Sequence, residues 1–476
     1  MMIVGILAFT VALLLSVMIH EAGHYLTAKK FGMKVTEFFL GFGQKIWSFT
    51  RGETEFGLKA IPAGGYCKIV GMTPREELSP ADADRAFIKA TVGQRLIVLG
   101  AGSFLHFVLG FILLIILFSS VGITSLTNKV ERISECIPQT STEVCSPQSV
   151  PSPAKVVGIK AGDKIVKVNG LSYDEWSEVV TVIRSSAGQQ LDITIDRNGT
   201  LIDLLITPAS RLLDGQTIGV IGVVNEIGTI TYGPITAVTK AATFTGEILQ
   251  NSLTALISLP SKIPDLINQT FGNEERDPEG LVGVVGVARV SGETAETKAL
   301  TTREKIATFI LIIASLNIFV GIFNLLPLLP LDGGHMAVAI ADGVRNSRAK
   351  AKGLAKPAPF DVERLTPITM VVFVVMASLS LLLLTADILN PLRLNFSVRF
   401  GYGKSWNSIG ATSNTCTSSK EQAVKGWFSF SWWRCTSIGA VDVYNTYLRC
   451  EFNLATDCRA NRIWLSDCSC CSAIPR

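Results

Sequence analysis

The sequence predicts a polytopic α-helical membrane protein with an αβ module inserted between two of its spans, and three observations carry that prediction. Hydrophobic residues make up 48% of the 476-residue chain. They gather into apolar runs at residues 2–28, 96–121, 306–329 and 368–386, each near the roughly 20 residues needed to cross about 30 Å of hydrocarbon. Between the second and third runs lie short alternating segments broken by Gly-Asp and Asn-Gly, the pattern of strands joined by tight turns. Lys and Arg number 43 against 39 Asp and Glu, a net charge of +4, too small over this length for a nucleic-acid partner.

The first run lacks the basic start and small-residue cleavage site of a signal peptide, so it reads as a retained span. His20-Glu21-Ala22-Gly23-His24 stands at its end. On a helix, residues four apart share a face, so His20 and His24 can direct two imidazole nitrogens at one zinc ion while Glu21 lies beside them as a general base. Ionisable groups at the end of a span are costly, and by default they mark function. The loop 29–95 holds eleven Lys and Arg against seven Asp and Glu, and the loop 333–366 holds Arg345, Arg348, Lys350, Lys352, Lys356 and Arg364. The positive-inside rule therefore puts both loops in the cytoplasm, and the long connection and the C-terminus outside.

Residues 35–71 alternate, as in Thr54-Glu55-Phe56-Gly57-Leu58-Lys59-Ala60-Ile61, and lead into Pro62-Ala63-Gly64-Gly65-Tyr66. They read as a small β-structure next to the histidine helix. It either offers an edge to an extended peptide or is a plain structural hairpin. The second run carries His106 alone as an ionisable group. Residues 124–150 are a Ser/Thr/Pro-rich linker, in which Cys136 and Cys145 form a short-loop disulfide if the compartment is oxidising and stand as free thiols otherwise.

Residues 151–208 form the αβ module. A Gly162-Asp163 turn, an alternating strand and Asn169-Gly170 precede a helical stretch at 173–185, and 190–195 and 200–206 close a hairpin around Asn198-Gly199. The module resembles a PDZ domain of the bacterial protease type, which implies binding of C-termini or extended segments by strand addition. A spacer role is the alternative. From 209 to 305 the signal weakens: 236–259 suits an amphipathic helix on the membrane surface and 273–280 a polar loop.

Catalytic zinc usually has three protein ligands and an open position. The third run supplies the best candidate, Asp332, in Asn324-Leu325-Leu326-Pro327-Leu328-Leu329-Pro330-Leu331-Asp332-Gly333-Gly334. A carboxylate at the end of an apolar helix is expensive unless paired or metal-bound, and Pro327 and Pro330 would unwind that end and let Asp332 turn inward. Topology puts it on the same side and at the same depth as His24.

Together the His-Glu-x-x-His, the Pro-Ala-Gly-Gly-Tyr loop, the PDZ-like insert and the Asn-x-x-Pro-x-x-x-Leu-Asp-Gly-Gly resemble the site-2 protease family of intramembrane zinc metalloproteases, in its bacterial regulated-proteolysis branch. The resemblance covers about residues 1–392, with a closing Ala386-Asp387-Ile388-Leu389-Asn390-Pro391. It implies Zn2+ held by His20, His24 and Asp332, Glu21 as catalytic base, and Asn324, Gly64 and Gly65 against the substrate backbone. It also implies that residues 41–71 form a membrane-reentrant β-element. The implied substrates are membrane-spanning proteins, such as anti-sigma factors already trimmed outside the membrane or remnant signal peptides. The implied location is the inner (cytoplasmic) membrane, with the lipid bilayer as partner, the active site near the cytoplasmic side and the PDZ-like domain outside.

Two departures stand out. The family often has Gly-Pro-x-x-Asn in the second span, where this chain has Gly102-Ser103-Phe104-Leu105-His106; either His106 takes over the polar role of that asparagine or the resemblance is looser there. As a fourth ligand it would close the open position zinc needs, and His335 reads as a loop residue near the site. The second departure is the end of the chain. The domain reading runs 1–123, 124–150, 151–208, 209–305, 306–396 and 397–476, and residues 398–476 hold five of seven tryptophans and seven of ten cysteines. No heptad or zinc-type pair organises them, and an out-of-frame extension is favoured over a disulfide-linked appendage.

Overall fold

The computed structural model describes residues 1–392 apart from 73–75, 77, 138–144, 147–148, 214–215, 273, 278–279 and 356. The Cys/Trp-rich tail lies outside the described residues. These divide into two compact units, one of 1–123 with the chain from 231 onward, the other of 124–230.

The first unit opens with helix α1, Met2–Lys30, followed by strands β1, Val35–Arg51, and β2, Thr54–Ile69. The hairpin doubles back on itself. Glu37 to Leu40 pairs with Glu55 to Leu58 along one side and with Gly65 to Lys68 along the other, while Trp47 to Arg51 pairs with Thr54 to Leu58. Segment 65–69 therefore ends the sheet on the side that meets α1. The turn between the strands is tied down: Arg85 donates two hydrogen bonds, of 2.7 and 2.6 Å, to Glu53, and Lys29 adds a third of 2.5 Å. Phe42, Ile46, Trp47, Phe49 and Ile61 of the hairpin are exposed.

Helix α2, Val92–Ile116, starts at a capping box in which Thr91 and Gln94 satisfy each other's backbone N–H. It runs on through a wider turn to Val121. The second unit then contains β3, Ile123–Ile133, the single turn α3, Pro153–Val156, β4, Lys164–Val168, and the short β5, Leu171–Ser172. Next come α4, Trp176–Ser185, β6, Leu191–Arg197, β7, Thr200–Ile206, β8, Ala209–Leu213, β9, Gln216–Val220, and β10, Val223–Ile230. Its main sheet has the order β10-β3-β4-β6-β7. Ile165, Val168, Ile193, Ile195 and Ile206 of the sheet pack on Val179 and Ile183 of α4. Asn198 and Gly199, at φ of 52° and 85°, make the β6–β7 turn.

The sheet extends beyond the stretch expected of the αβ module. It takes in β3, within the expected linker, because β-branched and alternating residues such as Ile123 and Val130 suit a half-buried strand. It also takes in β10, within the stretch where the sequence signal is weak. Cys136 and Cys145 are joined as a disulfide.

Returning to the first unit, α5, Pro234–Phe271, and α6, Val284–Glu296, lead to α7, Thr302–Asn324, α8, Asp332–Ala351, and α9, Thr366–Leu389. Helices 2–30, 92–121, 302–324 and 366–389 are long and apolar enough to cross a membrane. The third of these stops at Asn324, five residues short of the expected end, because Leu326 precedes Pro327 and the residue before a proline disfavours the helix. Asp332 is therefore the first residue of α8 rather than the last of the third span. Gly23 of α1 is pressed against α2, where an added Cβ would lie 2.6 Å from Ala101 O. That close crossing sets the depth at which α1 meets α2.

Candidate metal centre

The last turns of α1 and the first residue of α8 build the site. His20 Nε2 and His24 Nε2 lie 3.1 Å apart, and Asp332 Oδ2 is 3.2 Å from the first and 3.4 Å from the second. Four ligands around a zinc ion with bonds of about 2.0–2.1 Å are separated by roughly 3.3–3.4 Å, so the three atoms have the spacing of three corners of a tetrahedron. Both histidines are buried, and Asp332 Oδ2 is a buried oxygen with no hydrogen-bond partner. An orphaned carboxylate oxygen between two imidazoles is costly as it stands and is relieved by a cation. Donor set, spacing and burial fit zinc. Among the described residues these three are the one His/Cys/Asp/Glu group that converges in this way.

Glu21 is half-buried beside them. The backbone N–H of Cys67, on the β2 edge, is directed at its carboxylate. A Cβ at Gly65 would lie 3.3 Å from Glu21 Cγ and 3.1 Å from Met18 Sδ, so the hairpin edge runs against the glutamate at a position with no side chain. Gly64, at φ 149°, packs instead towards Phe42. Asn324 closes α7 and is half-buried, eight positions before Asp332. His335 sits one turn into α8 and is not in the converging group.

Of the other residues at the centre, the sequence draws attention only to His106 and the stretch from Gly102 that leads to it. His24 Nδ1 hydrogen-bonds Val98 O at 2.8 Å, which fixes the ring with Nε2 facing the site. At Gly102 of α2 an added Cβ would come within 2.5 Å of His20 Cε1 and 2.7 Å of His24 Nε2. Ser16, His106 and Asn317 form a buried polar cluster behind His20. Isolated polar residues in apolar runs are the only trace such a cluster leaves in a sequence.

The chain is similar to known proteins along most of its length. The family model for peptidase family M50 matches residues 8–357. Zinc metalloprotease Rip1 of Mycobacterium bovis is 36% identical over 409 residues, covering 83% of this chain and 99% of its own. Rip1 of Mycolicibacterium smegmatis is 37% identical over 408 residues, 82% of this chain and 98% of its own. The regulator of sigma-E protease RseP of Salmonella typhimurium is 26% identical over 417 residues, 69% of this chain and 88% of its own.

Proposed function

From the premise that the chain belongs to peptidase family M50, the site-2 proteases, and is a multi-pass membrane zinc metalloprotease, we propose which residues work and on what. His20, His24 and Asp332 hold the zinc, Glu21 is the general base, and the substrate is a transmembrane segment of another membrane protein. The observation that carries this reading is the convergence of three donor atoms at 3.1–3.4 Å beside Glu21, at the end of an apolar helix of span length.

When bound, zinc supplies Lewis acidity: it polarises a peptide carbonyl and makes water acidic enough to attack near neutral pH. Glu21 accepts the proton of the attacking water on a carboxylate oxygen and then delivers it to the leaving nitrogen. The Cys67 N–H steadies that carboxylate. The absence of a side chain at Gly65 lets the β2 edge close directly onto Glu21, and the substrate backbone is read as adding, extended, to the hairpin edge beside the glutamate. Asn324 is a further partner for that backbone. A helix in lipid keeps its backbone hydrogen bonds tightly, so helix-weakening residues mark the cleavage region.

The exposed Phe42, Ile46, Trp47, Phe49 and Ile61 support a hairpin that dips into the bilayer as a reentrant β-element. The 124–230 unit is read as a PDZ-like domain on the extracytoplasmic side, docking or size-selecting substrates, with the catalytic centre near the cytoplasmic side. The Salmonella relative is named for regulation of sigma-E; anti-sigma factors and remnant signal peptides are the membrane-spanning substrates proposed here.

The test is cleavage of a tagged single-span substrate in cells by wild type, Glu21→Gln and Asp332→Ala. Loss of product in both variants at equal expression is the expected result. Undiminished cleavage by either one overturns the assignment.

A further inference from the structure

A histidine that binds metal through Nε2 carries its proton on Nδ1, and that N–H normally has an acceptor behind it. His24 has one in Val98 O, at 2.8 Å. His20 does not: its Nδ1 is buried without a hydrogen-bond partner. The polar group nearest in kind is the imidazole of His106, whose ring centroid lies 4.9 Å from that of His20 at a tilt of 36°. His106 is 2% exposed.

The surrounding network assigns the His106 tautomer. Asn317 Nδ2 donates to Ile313 O at 2.8 Å, which turns Asn317 Oδ1 towards α1 and α2. That oxygen accepts from Ser16 Oγ and lies 2.8 Å from His106 Nδ1. An amide oxygen only accepts, so His106 Nδ1 carries a proton, and in the neutral ring Nε2 keeps a lone pair. One ring thus offers an acceptor and its neighbour carries a donor in need of one. With the ring centroids 4.9 Å apart, reorienting a ring can bring the two nitrogens to hydrogen-bond distance, a bond that the side-chain positions seen here do not make.

We propose that His106 is a positioning residue for the metal centre: Asn317 and Ser16 fix its tautomer, and its Nε2 accepts the Nδ1–H of His20, orienting that ring for zinc. The proposal rests on the assignment of His20 as a ligand and adds to it. The element that holds His20 is then α2 together with α7, whereas His24 is held by α2 alone.

The two amide side chains separate the roles of the two ring nitrogens. Glutamine sets an amide near the position of Nε2 and can still accept from His20; asparagine reaches only the position of Nδ1 and can satisfy Asn317 alone. Zinc affinity of the full-length protein in detergent, measured by competition with a fluorescent chelator, reads the difference without recourse to activity. His106→Asn is expected to weaken zinc binding about 10–100-fold, the range for loss of an outer-shell partner, and His106→Gln to stay within about threefold of wild type. Wild-type affinity in a well-folded His106→Asn, or an equal fall in both variants, overturns the proposal. Should His106→Asn lose its chromatographic profile, Asn317→Leu removes the tautomer lock without altering either ring; weakened zinc binding supports the proposal and unchanged binding overturns it. His20→Ala is the reference. If it too binds zinc like wild type, the ligand assignment itself has failed; if it alone loses zinc, only the role of His106 has.

Discussion

A single methyl group at position 102 would crowd both histidines of the proposed metal site. Gly102 lies where any Cβ would overlap both rings, at 2.5 Å from His20 Cε1 and 2.7 Å from His24 Nε2. Gly102→Ala removes no polar contact and introduces a better helix former, so its effect is steric and local. Zinc affinity should fall at least about tenfold, read by chelator competition, while the helical circular dichroism of the detergent-solubilised protein is unchanged.

A second residue-scale prediction concerns Asp163, 1% exposed, which accepts from Arg197 Nε and Nη2 at 2.8 and 2.7 Å and from the Lys160 N–H. The Arg197 guanidinium, helped by that N–H, holds its carboxyl below the usual carboxylate range. A folded pKa lower than the unfolded value of about 3.9 stabilises the unit above pH ~4, and that contribution is lost as pH falls through the folded value. Between pH 6 and pH 3 the melting temperature of the 124–230 unit should fall in wild type. Asp163→Asn should start lower, by about 1–3 kcal/mol in stability, and show a flatter profile.

At the scale of the element, Asp332 depends on how α8 is held. Ten residues along that helix Asp342 is buried and accepts from Arg95 Nη1 of α2 at 3.1 Å and from the Phe360 N–H at 2.8 Å. Arg345 also approaches Asp342, at 3.5 Å, so loss of Arg95 leaves the carboxylate partly paired and costs less than the about 3–5 kcal/mol of a lone buried charge. Arg95→Ala should therefore lower the melting temperature and also weaken zinc binding, although Arg95 is not among the residues proposed to hold the metal. Arg95→Ala with full zinc affinity would mean that α8 is positioned by its Gly333-Gly334 packing on the preceding turn instead. The α9 span contributes differently, since Val371, Phe373, Val374 and Leu381 are exposed along it and suit lipid.

At the scale of the whole molecule, the 124–230 unit has its own sheet, core and disulfide. If it filters substrates, replacing it by a short flexible linker should leave cleavage of a pre-trimmed substrate within about threefold and raise cleavage of the untrimmed form. The comparison of product bands from the two substrates checks this, and equal rejection of the untrimmed form by both enzymes would assign the selection to another part of the chain.

The sequence by itself determined what depends on near neighbours. Apolar runs of span length, two histidines one helical turn apart, an Asn-Gly at a hairpin turn and a proline that stops a helix are all local patterns, and each has a direct physical consequence within a few residues. Only the tertiary structure decided how distant pieces meet. Asp332 reaches His20 and His24 because α8 begins at it, not because the third span ends there. Gly65 meets Glu21 while its neighbour Gly64 turns to Phe42. Gly102 and the Ser16–His106–Asn317 cluster have roles set by the rotation and crossing of three helices. Periodicity reports which face of a helix is apolar; it carries no information about which residue of another helix will face it.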